Sequence, residues 1–226
     1  MSWISLTRLK GRDRIAKRPP ESLVVLLHDP DASVAWVTSM AARWSVTVPN
    51  TTFIALDGLE QLSAPSGDAT PEANDAPGSL NIAAQRLETL LDHQLHSHRL
   101  DRARLVLVGF GYGGTIALHL LLRRSWTCAG ILAIAAHLAR PLPRVLRIDC
   151  KVRLIDCAVQ GQVHHSRLRD DVALLNARGI DARGVVLSAA PLADETVRHG
   201  GAYLVELVAT AQRSNGNHVN RESSHA

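Results

Sequence analysis

Apolar positions along the chain alternate between two patterns: short continuous runs, and longer stretches with apolar residues every three or four positions. The run "SLVVLL", residues 22–27, is bounded by Pro19-Pro20 before and His28-Asp29-Pro30 after, which predicts a strand buried on both faces. A helix is predicted over 35–44 and a strand over 53–56, "FIAL". Residues 63–79, "SAPSGDATPEANDAPGS", hold three prolines, two glycines and no apolar side chain larger than alanine, and predict a mobile loop. Over 80–95, Leu80, Ala83, Ala84, Leu87, Leu90, Leu91 and Leu95 fall at helical spacing.

The next run, Leu105 to Val108, is a predicted strand that leads through "GFGYGG" into a helix over 115–122. Then come strands at "AGILAIAA" and 152–155, a helix "LRDDVALLNARG" closed by Gly179, a strand "ARGVVLSA" and a terminal helix over 203–211. Strands alternate with helices throughout. The fold class is therefore α/β, with a mostly parallel sheet, helices on both faces and any site at the carboxyl ends of the strands.

Length and charge narrow this picture. A chain of 226 residues, 46% apolar, fits one domain over 21–211, preceded by an arm over 1–20 and followed by a polar tail over 212–226. The net charge of +4 suggests nucleic acid until it is placed along the chain. Residues 1–20 carry Arg8, Lys10, Arg12, Arg14, Lys17 and Arg18 against Asp13, a local +5, which leaves −1 on residues 21–226. The body is near neutral, and no nucleic-acid partner is expected. The segment "WISLTRL" inside the basic arm alternates like an edge strand, and a solvated arm is the other reading. No apolar window long enough to span a membrane is visible and no secretory leader opens the chain, so a cytoplasmic location is expected. Cys128, Cys150 and Cys157 form no C-x-x-C and read as small buried apolar residues.

The turn "GFGYGG" is the one place where two functional patterns compete. Gly109, Gly111 and Gly114 give G-x-G-x-x-G, a dinucleotide cradle, but the following strand ends in Ala135, Ala136 and His137, where the ribose-binding carboxylate belongs. A lone match of this kind is weak. Read as G-x-S-x-G, the same turn is a nucleophile elbow with Gly111 in the serine position.

The order of "SLVVLLHDPDASVAWVTSMAARW", "VPNTTFIAL" and "RLVLVGFGYGGTIALHLLLRR", over about 22–204, resembles the phospholipase/carboxylesterase family, the acyl-protein thioesterase-like group of α/β-hydrolases. The Gly109-Phe110 and Gly113-Gly114 pairs carry the resemblance most specifically, since members show L-H-G-x-G and later G-F-S-x-G-G. It implies a single α/β-hydrolase domain acting, in active members, on acyl esters or thioesters.

The departures from the family pattern bear on catalysis. The nucleophile position falls on Gly111, which cannot form an acyl-enzyme. The family's aspartate position falls on Gln160, a neutral amide, and its histidine position on Leu192 or Ala190. Where members have glycines after the strand-end histidine, this chain has His28-Asp29-Pro30-Asp31, and neither a proline nor two carboxylates would stabilise an oxyanion. No catalytic residue is expected at the vacated positions Gly111, Gln160 and Leu192. A ligand pocket is expected at His28, Asp29, Gly111, Tyr112 and Gln160, taking a small acyl-type ligand, with a protein partner as the alternative. Tyr112 either projects over that pocket or packs on the helix. Neither cofactor nor metal is expected. His93 and His96 sit one helical turn apart without a third ligand. A residual ester or thioester hydrolase would have to use a rearranged nucleophile such as Cys157 with His164, His165 or His199.

Overall fold

The computed structural model describes residues 2–5, 19–28, 34–57, 59, 62, 77–123, 126–140, 142, 149–157, 165–191 and 193–213. The strands are β1 (Ser2–Ser5), β2 (Ser22–Leu27), β3 (Thr51–Asp57), β4 (Leu105–Phe110), β5 (Gly130–Ile134), β6 (Lys151–Cys157) and β7 (Asp181–Leu187). The helices are α1 (Val34–Ser45), α2 (Pro77–His98), α3 (Tyr112–Leu121), α4 (His165–Asn176) and α5 (Asp194–Arg213). All seven strands form one sheet in the order β1-β3-β2-β4-β5-β6-β7. Six run parallel, and β1 lies antiparallel on the β3 edge, with Trp3 opposite Leu56.

The continuous apolar runs have a direct structural cause, because each central strand is covered on both faces. Leu23, Val25, Leu27, Leu105, Leu107, Ile131 and Ala133 face a core closed by α2, α3 and α4. Their neighbours Val24, Leu26, Val106, Val108, Leu132 and Ile134 face a second core closed by α1 and α5. A strand covered twice has no polar face to alternate with. Burying such runs contributes roughly 25 cal/mol per Å² of apolar surface removed from water, the main favourable term in this fold.

The helices begin earlier than periodicity indicates, α1 at Val34 by one residue, α3 at Tyr112 and α4 at His165 by three each. Helix α2 starts at Pro77 rather than Leu80; proline suits a first helical position because its missing N–H has no intrahelical partner to lose. The rest of the segment expected to be a loop, 63–76, lies outside the described residues. Helix α5 starts at Asp194 rather than at Tyr203, with Asp194 and Glu195 complementing the N-terminal dipole of its first turn. It runs through Gly200-Gly201 because the Trp44 ring packs against both; a Cβ on Gly200 would lie 2.9 Å from Trp44 Cζ2.

All three cysteines are buried. Cys128 and Cys150, at the starts of β5 and β6, bring their sulfurs to 3.7 Å. Among the described residues, no helix is long and apolar enough to cross a membrane.

Candidate functional site

The site is built at the carboxyl end of β4. Phe110, the last residue of that strand, is fixed by two indoles: Trp36 meets it edge-on at 4.6 Å between ring centroids, and Trp44 stacks at 6.4 Å. The next residue, Gly111, has φ 49° and ψ −118°, a conformation that side-chain-bearing residues adopt only under strain. Its N–H donates to the Ile134 carbonyl at 2.9 Å, and its carbonyl accepts the Thr115 N–H at 3.1 Å and the Thr115 hydroxyl at 3.4 Å. The sharp strand-to-helix elbow is therefore intact, with no side chain at its tip. It also fits tightly, since a Cβ on Gly113 would lie 2.7 Å from the Leu27 carbonyl carbon and one on Gly114 would lie 2.9 Å from the Gly109 carbonyl oxygen.

His28 follows the last residue of β2 and is buried. Because Leu27 pairs with Gly109 across the β2–β4 ladder, His28 and Gly111 leave neighbouring strand ends. Tyr112 opens α3 and packs, partly buried, against the core on the side of α2 and α4. Asp29, Gln160 and Leu192 lie outside the described residues, as does His164, and the side chain of His165 is likewise not described.

At the end of β6 stands Cys157, with its sulfur 3.9 Å from the Thr196 hydroxyl, which in turn donates to the Ala190 carbonyl at 2.9 Å. Burial pushes the Cys157 thiol above its usual pKa; the contact with the Thr196 hydroxyl opposes this, and the charge of Asp156 adds to it. A thiol held protonated in this way is a poor nucleophile. His199 lies partly buried on α5, while His93 and His96 are exposed on α2. Among the described residues, no trio of His, Cys, Asp or Glu is arranged to hold a metal ion.

A cleft of about 600 Å³ opens beside the elbow. Thr115, one helical turn from Gly111, forms part of its wall together with Leu80, Leu138 and Ala139. His137, Arg140, Arg167 and Asp170 supply the polar part. The chain reaches this wall through Ala135, whose φ of 52° turns it sharply after β5 and seats Ala136 against Gly114. Behind the wall lies Asp171, a carboxylate only 1% exposed. It accepts the Leu138 N–H at 3.1 Å and Arg140 Nη2 at 3.2 Å, and the Nδ1 atom of His137 stands 3.9 Å away.

Periodicity alone does not assign these groups a role. The available signal is Asp171 itself, which shares the helical stripe of Leu168 and Leu175 and so places a charge on a buried face. Which partners satisfy that charge depends on how α4 packs on the segment that follows β5, and local sequence does not show it.

The parallel sheet, the glycine-lined elbow and the layered helices define an α/β-hydrolase fold. The chain belongs to the phospholipase/carboxylesterase family, whose model matches residues 14–145. Among solved structures, the esterase PE8 superposes with a TM-score of 0.68 at 23% identity, covering 83% of this chain and 93% of that one. A phospholipase/carboxylesterase from Dyadobacter fermentans gives a TM-score of 0.64 at 16% identity, over 88% of this chain and 94% of its own. The Bacillus cereus carboxylesterase gives 0.68 at 14% identity, over 82% and 88%. At these identities the likeness concerns the fold. No curated protein matches the chain by sequence.

Proposed function

We propose that this protein is a non-catalytic member of its family that acts by binding a small acyl-type ligand at the carboxyl ends of β4 and β5. The observation that carries the reading is Gly111: the elbow keeps the strained geometry that presents a nucleophile, and the residue presented has none. The sequence supports it at three further positions, where Gln160, Leu192 and Pro30 stand in place of an acid, a base and an oxyanion donor. The buried, protonated state of Cys157 weighs against a substitute nucleophile.

Turnover of short and medium chain p-nitrophenyl esters and acyl thioesters tests this, using the purified wild-type chain beside Cys157→Ala and Gly111→Ser. All three are expected at the buffer rate, because a restored serine lacks its base. Wild-type turnover that co-purifies with the protein would sink the proposal, and its loss in Cys157→Ala would identify the sulfur as the nucleophile.

A further inference from the structure

Resting on the reading of the family fold as a ligand-binding scaffold, we infer that the cleft beside the elbow binds a small carboxylate with a short apolar tail. Arg140 and Arg167 take the head group, and Leu80, Leu138 and Ala139 take the tail. A volume of about 600 Å³ suits a metabolite-sized ligand, and the position, outside the carboxyl ends of parallel strands, is where open α/β sheets bind small molecules.

The head-group assignment follows from the placement of charge. Arg167 is exposed at the third position of α4 and makes no ion pair with a described residue. Its fork of donors is open to a carboxylate, and the first turns of α4 add the positive end of a helix dipole. Arg140 gives Nη2 to Asp171, while its side chain remains 54% exposed, so donors are left for a ligand. Asp171 is the organising group. By holding Arg140 and the Leu138 N–H from behind, one buried carboxylate fixes the head-group donor and the apolar wall together.

Asp170 sets the charge limit. It lines the cleft three residues from Arg167, and Asp171 already balances Arg140. A second negative charge on the ligand would therefore face Asp170 uncompensated, so the cleft selects a monoanion over a dianion such as phosphate. The apolar wall asks for a hydrocarbon tail in addition, which free inorganic anions lack.

Titration calorimetry of the full chain with hexanoate, hexanamide and inorganic phosphate tests the inference. Hexanoate is expected to bind at least about tenfold more tightly than either of the others. Arg167→Gln, at an exposed side chain with no ion pair to a described residue, is expected to weaken hexanoate by about tenfold or more while the thermal midpoint stays near wild type; Arg140→Gln is expected to weaken hexanoate as much and also to lower the midpoint, because it takes the counter-charge from buried Asp171. Asp170→Asn is expected to admit phosphate. If hexanamide binds as tightly as hexanoate and the arginine variants change nothing, the carboxylate site is overturned while the ligand-binding function stands. Failure of hexanoate and hexanamide alike to bind would overturn both.

Discussion

At the scale of single residues, two backbone conformations shape the site. Gly111 sits at φ 49° and ψ −118°, and Ala135 at φ 52°. The first is the ordinary place for a strained nucleophile, and a glycine there releases the strain. Restoring a side chain is therefore expected to cost about 1–3 kcal/mol. Urea unfolding of Gly111→Ala and Gly111→Ser should show this loss in both variants, since the cause is the Cβ and not the hydroxyl. Equal stability of Gly111→Ala and wild type would mean that the elbow relaxes and stores no strain. Ala135 keeps the strain that Gly111 has lost, and its turn is what carries His137 and Leu138 onto the cleft wall. The vacated position was legible in the sequence, because a motif fixes it by spacing. The Ala135 turn was not, because nothing local distinguishes an alanine in a left-handed conformation from one in a strand.

At the scale of elements, α5 shows packing overriding propensity. Two adjacent glycines weaken an isolated helix by roughly 1 kcal/mol each relative to alanine, so the predicted helix begins after them, at 203. In the fold the helix continues through them because Trp44, a buried indole whose Nε1 donates to the Val197 carbonyl at 2.9 Å, packs its Nε1 edge into the gap they leave. Gly200→Ala should therefore destabilise the protein by about 1–3 kcal/mol despite its better helix propensity, because its Cβ would be 2.9 Å from the ring. Urea unfolding checks the sign, and a gain in stability would show that the ring shifts freely. The same override explains which parts of the site could be read beforehand. The places of His28, Gly111 and Tyr112 in the fold were legible because each stands at a strand end or in a motif, but none of the three is among the residues that line the cleft. Asp171 and its contacts join the segment that follows β5 to α4 across 33 positions of sequence, a pairing set by how α4 packs on that segment and not by any local pattern.

At the scale of the whole molecule, one buried guanidinium ties the far end of the sheet to its covering helix. Arg153, on β6 and fully buried, donates to the Asp181 carbonyl at 2.8 Å and to its own neighbour's, that of Val152, at 2.9 Å. Its side chain also pairs with the Asp181 carboxylate at 3.1 Å and with Glu206 on α5. The edge strand β7 and the helix α5 are thus joined through one residue of β6. Hydrogen bonding to Arg153 holds the Glu206 carboxyl below the usual glutamate range, against a smaller opposing effect of burial, with the charges of Arg153, Lys151 and Arg183 adding to it. A carboxyl whose folded pKa is depressed contributes stability above its unfolded pKa and loses that contribution as the pH falls through the folded value. The contribution of the Arg153–Glu206 pair is therefore complete near neutrality and fades below roughly pH 4.3, where the unfolded chain begins to take up the proton first. Arg153→Met removes the pairing but keeps an apolar stem of similar length. Its deficit in unfolding free energy should be largest near pH 7 and shrink steadily as the pH is lowered through the carboxylate range. Urea midpoints of the two proteins across that range decide the matter: parallel curves would show that Glu206 senses solvent and not Arg153, and that the guanidinium holds β7 through the backbone carbonyls alone.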